Sequence, residues 1–281
     1  MRARVHKRNA GRASTSETWG ALARHGISRP RGRQTAARVT RSAQLPETIA
    51  IDARFNGPPD SANGGYTCGL LAEVLGEPLE VSLRKPPPLG RDLELERAGE
   101  GVLLRDGGDA VAEAMRTELD LDPPEPPDVG KAHEAERGFP FARQHPFPTC
   151  FVCGPERPGS DGLRIFPGPV DGSEVHAAAW TPPAELADGG AVLPRFVWAA
   201  LDCPTSVPVA NEAADPDYKP IVLARLAGRR LAGVEPGRPH VIVSWPIAID
   251  GRKRRAGSAL FTDAGELCAY ARALWVELKE S

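Results

Sequence analysis

Alternating apolar and polar positions predict short strands along most of residues 46–281, and two stretches switch to the spacing of a helix. Residues 47–56 place an apolar side chain at every second position, which is the period of a half-buried strand. Leu70, Leu71, Val74 and Leu75 recur instead with the spacing of a helix face. We therefore predict a strand followed by a helix, which a glycine at position 76 closes.

The same order of elements is predicted twice along the chain. After the first helix, strands are predicted at residues 78–83, 92–97, 102–105 and 110–115. A second, very apolar helix is predicted at about residues 194–203, and its first residue is a proline, which suits the first turn of a helix. The strands predicted around it are residues 163–166, 175–180, 220–226, 240–249, 259–262 and 267–278. Residues 102–112 also align with residues 259–269, so we predict an internal duplication of about 100 residues per copy.

Composition divides the chain into four regions. Residues 1–45 contain eleven Lys and Arg against a single acid and have almost no apolar periodicity, so this basic tail is predicted to be disordered. It could be an organellar transit peptide, a basic arm for an anionic partner, or translated upstream sequence. Residues 118–149 contain seven prolines and many acids, which is typical of a semi-extended linker. The two predicted folded units are therefore residues 46–117 and 150–281.

Charge and hydropathy exclude some classes of protein. Beyond the tail, 24 basic residues face 36 acidic residues, and an acidic body argues against a nucleic-acid-binding domain, which needs a basic face. No apolar run approaches the roughly 18 residues needed to span a bilayer. Five cysteines without a secretory signal indicate a reducing compartment, so we expect a cytoplasmic protein.

Several short motifs, taken in their order and spacing, resemble a known family over residues 46–281. They are Phe-Asn-Gly-Pro at 55–58, Asn-Gly-Gly-Tyr at 63–66, Cys-Phe-Val-Cys-Gly-Pro at 150–155, Asp-Gly-Leu-Arg-Ile at 161–165 and Val-Trp-Ala-Ala-Leu-Asp-Cys-Pro at 197–204. With the repeated strand and helix order, they resemble the double-hotdog proteins of the acyl-CoA thioesterase-like superfamily. The resemblance implies an α+β fold of two tandem hotdog units, each a curved antiparallel sheet wrapped around a central helix.

The resemblance also implies where a thioester would bind. Members of this superfamily commonly hydrolyse thioesters, and backbone N–H groups at a helix start hold the carbonyl oxygen as negative charge develops on it. Asn63, Gly64, Gly65 and Tyr66 fit that position, although the family often carries His-Gly-Gly there and Asn63 is no base. In the second half, the glycine pair at 189–190 lies several residues before the predicted helix, so the first helix start is the better oxyanion site. Trp198 is a further candidate for substrate binding.

Two carboxylates are candidates for the nucleophile or the base that activates water. Glu73 lies about two turns into the first helix, which is the family's spacing for this group. Asp202 lies in the apolar second helix, where an acid is unexpected. Glu73 could also be an ordinary solvated helix residue, and Asp202 could cap the end of its helix. Because the helix start and the carboxylate can come from different copies in hotdog pairs, Asp202 remains the main rival to Glu73.

The cysteine pair at 150 and 153 raises the question of a metal. Cys150, Cys153 and His145 supply three ligand types close in sequence, but a structural zinc site needs four. His133 or Cys203 could add the fourth ligand only if the fold brings it close. We therefore expect packing thiols and no metal, with Cys150, Cys153 and His145 as weak candidates, and no cofactor is implied.

The expected function is hydrolysis of an acyl thioester, carried by coenzyme A or an acyl carrier. The alternative is a non-catalytic acyl or acyl-CoA binding protein that kept the fold and lost the base. The two hypotheses are separated by geometry, because an enzyme needs a carboxylate facing a tunnel near the first helix start. Pairing of two chains into a homodimer is also expected, because edge strands and helix faces of this fold commonly associate.

Overall fold

Eleven of the thirteen described strands form one antiparallel sheet in the computed structural model, which describes residues 45–159, 161–211 and 219–278. The strands are β1 (Thr48–Ala50), β2 (Leu79–Leu83), β3 (Asp92–Ala98), β4 (Gly101–Asp106), β5 (Asp109–Arg116), β6 (Gly168–Pro169), β7 (His176–Trp180), β8 (Ala187–Asp188), β9 (Ala191–Val192), β10 (Ile221–Arg230), β11 (His240–Asp250), β12 (Lys253–Thr262) and β13 (Leu267–Glu277). The helices are α1 (Gly64–Leu75), α2 (Val129–Ala135) and α3 (Pro194–Asp202). Except for Leu45, the tail predicted at residues 1–45 lies outside the described residues.

The order of strands in the sheet separates the two halves of the chain. It runs β1-β3-β4-β5-β2-β10-β13-β12-β11-β7-β6, and β8 pairs with β9 apart from it. The two halves join where β2 pairs with β10, from Leu79 opposite Gly228 to Ser82 opposite Arg225. Strands from early and late sequence are therefore hydrogen-bonded neighbours at the middle of a continuous sheet.

The two main helices pack against each other in opposite directions. Gly65, near the start of α1, lies against Asp202 and Trp198, whereas Gly69, one turn later, lies against Arg195 at the start of α3. Glycine is required at both positions because a Cβ atom there would overlap the backbone or side chains of α3. The start of each helix is thereby held beside the end of the other.

Alternate residues of the later strands pack on opposite faces of the sheet. In β11, Ile242 belongs to the main core with α1 and α3, while Val241 and Val243 belong to a second apolar cluster with α2. The hydroxyl of Tyr270 donates a hydrogen bond to the Leu119 carbonyl at this second cluster. Part of the segment predicted as a linker therefore folds as α2 and covers the sheet.

Two of the predicted strands differ in the structure. Residues 163–166 form no strand; Leu163 and Ile165 instead donate backbone hydrogen bonds to the Phe151 and Val152 carbonyls, 2.8 and 3.0 Å away. Arg164 between them has φ of 55°, a left-handed conformation that breaks an extended strand. The first predicted strand, at residues 47–56, is regular only in β1 and is followed by a 3-10 turn. None of the described helices is long and apolar enough to cross a membrane.

Candidate functional site at the start of the first helix

The start of α1 is organised by one asparagine. Asn63 is the N-cap, is 2% exposed, and its Oδ1 accepts a hydrogen bond from the Tyr66 N–H at 2.9 Å. A side-chain acceptor at this position satisfies one of the backbone donors that the first turn leaves free. Gly64 and Gly65 follow as the first two helical residues. Asn63 therefore caps α1 and holds its first turn in place.

Asp202, the last residue of α3, meets this helix start across the helix pair. Its Oδ2 accepts a hydrogen bond from the Gly65 N–H at 2.7 Å, and the residue is 1% exposed. Its Oδ1 is buried and finds no hydrogen-bond partner among the described residues. Burial raises the pKa of this carboxyl group to about 7, against the opposing effect of the Gly65 N–H. One oxygen is therefore fixed on the α1 backbone, and the other is buried beside the Asn63 side chain, which also lowers the pKa.

At the other end of the helix pair, Glu73 of α1 accepts from the start of α3, as Asp202 of α3 accepts from the start of α1. It lies near the end of α1, and its carboxylate accepts hydrogen bonds from three groups of Arg195: the backbone N–H at 3.1 Å, Nε at 2.9 Å and Nη2 at 2.5 Å. Each helix thus carries a late carboxylate that accepts from the second residue of the other helix. Arg195 occupies both oxygens of Glu73, whereas Gly65 has no side chain to occupy the second oxygen of Asp202.

A cavity of about 430 Å³ opens beside Asp202. Among the predicted site residues, it is lined by Asn63, Gly64 and Asp202. Its walls are mostly apolar and come from both halves of the chain, including Leu83, Phe139, Phe141, Phe147, Val207, Ile221, Leu223 and Trp275. The exposed residues Arg84 and Lys85 also line it, whereas Asp202 is a buried part of its wall.

The other residues predicted for the thioester site do not line the cavity. Tyr66 stacks on Phe55 with ring centroids 4.2 Å apart, away from the cavity lining. Trp198 is 1% exposed and its indole N–H donates to Glu77 at 2.8 Å. Neither ring lines the cavity, because both are used in the packing of α1 and α3 against the core. Gly65 contributes through its N–H bond to Asp202 rather than through the cavity wall.

Three cysteines gather next to Asp202. The sulfur atoms of Cys150, Cys153 and Cys203 all lie within 4.8 Å of one another, and the three residues line the same cavity. We call Cys150, Cys153 and Cys203 the thiol cluster. The pKa of the Cys150 thiol is lowered, chiefly because the thiols of Cys153 and Cys203 donate to it. The sequence named Cys203 only as a conditional ligand, because nothing local shows that the end of α3 meets residues 150–153.

His145 and His133, the two histidines considered as metal ligands, lie in different parts of the structure. His145 lines the cavity, its Nδ1 accepts from the Phe147 N–H at 2.9 Å, and burial lowers its pKa. His133 lies in α2 on the surface and faces Glu136, with Nδ1 3.2 Å from Oε2. Of the two, the fold brings only His145 to the cavity.

Comparison with solved structures identifies proteins that share this fold. No protein-family model matches the chain, and no curated protein matches it. A candidate thioesterase II from Thermobifida fusca YX aligns over 83% of this chain and 92% of its own at 16% identity, with a TM-score of 0.50. The tesB protein of Mycobacterium avium subs paratuberculosis aligns over 78% of this chain and 88% of its own at 12% identity, also with a TM-score of 0.50.

A shorter alignment joins these two. A thioesterase superfamily protein aligns over 44% of this chain at 19% identity with a TM-score of 0.38, and this chain spans 58% of its length. Sequence identities this low establish a shared fold only. That shared fold is inferred from the two longer alignments, which cover most of both chains. The chain has the hotdog fold of these thioesterase-like proteins, the fold that its sequence resembles.

Proposed function

We propose that this chain hydrolyses an acyl thioester, with Asp202 as the carboxylate at the reacting centre. The observation that carries the proposal is Asp202 itself, which lines an apolar cavity beside the start of α1 and whose buried Oδ1 has no hydrogen-bond partner among the described residues. From the sequence, we expected an enzyme to need a carboxylate that faces a tunnel near the first helix start, and a binding protein to lack one. The apolar walls suit an acyl chain, and the substrate class is a thioester of coenzyme A or an acyl carrier protein.

The chemistry needs a donor for the carbonyl oxygen and a base for water. The Gly65 N–H is already held by Asp202, whereas no hydrogen bond from the Gly64 N–H is found among the described residues, and Gly64 lines the cavity. The Gly64 N–H therefore supports the developing oxyanion, an effect typically worth 10²–10³ in rate. Asp202 accepts a proton as the water oxygen bonds to the carbonyl carbon. The C–S bond then breaks, the carboxylic acid is released, and the leaving sulfur takes the proton back from Asp202.

The same proposal assigns a positioning role to Glu73. Its carboxylate is bound by the backbone and guanidinium of Arg195 at the opposite end of the helix pair. It does not line the cavity. Glu73 therefore holds the start of α3 against α1, at the opposite end of α3 from Asp202.

We further propose that the fold consists of two tandem hotdog units. The five strands β1 to β5 with α1 form the first unit, within residues 46–117. The six strands β6, β7 and β10 to β13 with α3 form the second unit, within residues 150–281. What supports this division is the order of the sheet, in which each set of strands is contiguous and the sets meet only at β2 and β10.

One observation favours the alternative, a non-catalytic acyl or acyl-CoA binding protein. The Gly65 N–H, which the sequence hypothesis assigned to the thioester carbonyl, donates to Asp202 instead. If this bond persists with ligand present, the helix start offers one backbone donor fewer than expected. An acyl chain could then occupy the cavity without being cleaved.

The test is a thiol-release assay over a panel of acyl-CoA substrates of increasing chain length. The proposal expects turnover by the unmodified protein and a loss of at least about 10² in kcat for Asp202→Asn. Asn retains an acceptor for the Gly65 N–H, so the helix contact survives. Glu73→Gln serves as the matched control and keeps turnover within a few-fold.

Two results would contradict the hydrolase. Full turnover by Asp202→Asn would remove Asp202 from the mechanism. Saturable binding of an acyl-CoA by the unmodified protein, measured by calorimetry, without release of thiol from any substrate would establish the binding function instead.

A further inference from the structure

We propose that the thiol cluster is a binding site for a thiophilic divalent cation of the zinc class, with its fourth coordination position open to the cavity. The inference is separate from the proposed hydrolysis, because it depends on the cysteines and on no step of that reaction. It changes our sequence expectation, which assigned these residues to packing.

The spacing of the sulfur atoms fits tetrahedral coordination. A zinc ion bound to sulfur at about 2.3 Å in tetrahedral geometry holds its sulfur ligands roughly 3.8 Å apart. The sulfurs of Cys150 and Cys203 are 3.7 Å apart, and the third lies within 4.8 Å of both. Small side-chain rotations are enough to close the set around one ion. All five cysteines of the chain are free thiols, so none of the three is committed to a disulfide.

The backbone presents the three thiols from two distant segments. Residues 150–153 form a tight turn closed by the Gly154 N–H, which donates to the Cys150 carbonyl at 2.9 Å. Gly154 has no space for a side chain, because a Cβ would lie 2.5 Å from the Cys150 nitrogen. Cys203 comes from the end of α3, 53 residues later than Cys150. An ion here would therefore join the loop at 150–153 to α3.

Polar groups complete the surroundings of the site. The amide nitrogen of Asn63 faces the sulfurs of Cys203 and Cys150 at 3.6 and 4.0 Å, as a donor that stabilises thiolate ligands. The unpartnered Oδ1 of Asp202 is fully buried beside Cys203. The Asp202 carboxylate is not among the groups within 4.8 Å of all three sulfurs. Three thiols therefore leave the fourth position to a water or small ligand in the cavity, and Asp202 can accept a hydrogen bond from it.

The first experiment measures metal in the full chain, purified under reducing conditions without chelator from a zinc-supplemented culture. Elemental analysis is expected to find about one zinc per chain, with near-complete loss in Cys150→Ser and Cys203→Ser. The matched controls are Cys68→Ser and Cys268→Ser, which remove thiols outside the cluster and are expected to retain the metal.

The second experiment needs no variant, so a folding defect cannot obscure it. After the metal is removed with chelator, the unmodified protein is titrated with Co²⁺. The expected result is near-ultraviolet thiolate-to-cobalt charge-transfer absorption that saturates at one equivalent and disappears when Zn²⁺ is added. Absence of zinc from the purified protein together with absence of this absorption would overturn the proposal. Equal loss of metal in the Cys68 and Cys268 controls would also overturn it.

Discussion

At the scale of single residues, Gly65 joins the two helices through the absence of a side chain. A Cβ atom at this position would lie 2.7 Å from the Trp198 carbonyl oxygen and 3.0 Å from the Ala199 Cα, and closer still to the Asp202 side chain. These are backbone atoms within a packed helix pair and cannot move aside cheaply. The short distance between Gly65 and α3 is also what permits the 2.7 Å hydrogen bond to Asp202.

We predict that Gly65→Ala lowers the free energy of unfolding by about 2–3 kcal/mol, because overpacking forces α1 and α3 apart. The measurement is urea denaturation followed by circular dichroism. Gly108→Ala is the control, since nothing lies within 4 Å of its added methyl, and it should change stability by less than about 0.5 kcal/mol. Equal effects of the two substitutions would show that α1 and α3 do not need this close approach.

The sequence identifies the glycine pair and its helix, but it does not show that α3 lies against Gly65. Asp202 was recognisable as an acid in an apolar helix. Its partner is 137 residues away in the chain, so only the fold reveals their bond. The contact between Cys203 and Cys150 could not be predicted either, because the two residues are 53 positions apart in the chain.

At the scale of elements, α1 and α3 are held together by two contacts related by near symmetry. Asp202 accepts from the second residue of α1, and Glu73 accepts from the second residue of α3. A carboxylate at a helix start is favoured by the exposed N–H groups and the helix dipole. The two contacts differ because Arg195 adds its guanidinium to the bond with Glu73.

We predict a coupling of about 1–2 kcal/mol between Glu73 and Arg195 in a double-mutant cycle of alanine substitutions. The pair is bidentate, and the side chains of Glu73 and Arg195 are 19% and 32% exposed, so solvent screening reduces it only in part. The control cycle uses Arg84 and Glu113, whose side chains are 52% and 37% exposed. Exposed ion pairs contribute roughly 0.2–1 kcal/mol. A coupling energy for Arg84 and Glu113 larger than that for Arg195 and Glu73 would contradict the positioning role of Glu73.

Regular elements were easier to predict than the segments between them. The apolar spacing of α1 and the Pro194 start of α3 follow from local sequence, and both helices form where they were predicted. Residues 163–166 alternate like a strand because Leu163 and Ile165 are buried, but they bond to residues 151 and 152 rather than to a strand of the sheet. Alternating apolar and polar residues indicate alternating burial. A loop packed on the core shows this pattern as well as a strand does.

At the scale of the whole molecule, the pairing of β2 with β10 makes the two halves depend on each other. Val81 and Leu226, paired across this junction, are both fully buried. The cavity is likewise lined by residues from both halves. Separation of the halves would expose the facing surfaces of α1 and α3 along with the edges of two central strands.

We therefore predict a single unfolding transition for the described fold. Trp180, Trp198, Trp245 and Trp275 all lie in the later half. Measured in a Trp19→Phe background, their fluorescence reports on that half and, through the bond of Trp198 to Glu77, on its contact with the earlier half. Amide exchange of β4 reports on the earlier half. The two probes should give the same free energy of unfolding within about 0.5 kcal/mol. Unfolding of β4 at a lower urea concentration than the tryptophans would show that the halves are independent.

The ends of the sheet bear on how it meets other chains. Its outermost strands are β1, with three residues, and β6, with two residues of which one is proline. Beyond β1, the neighbouring strand β3 carries the charged residues Glu96 and Arg97. Short, charged or proline-containing margins offer few free backbone groups for another chain to extend. Strand addition at these two margins would therefore gain few hydrogen bonds, which disfavours fibril-like growth from either end of the sheet.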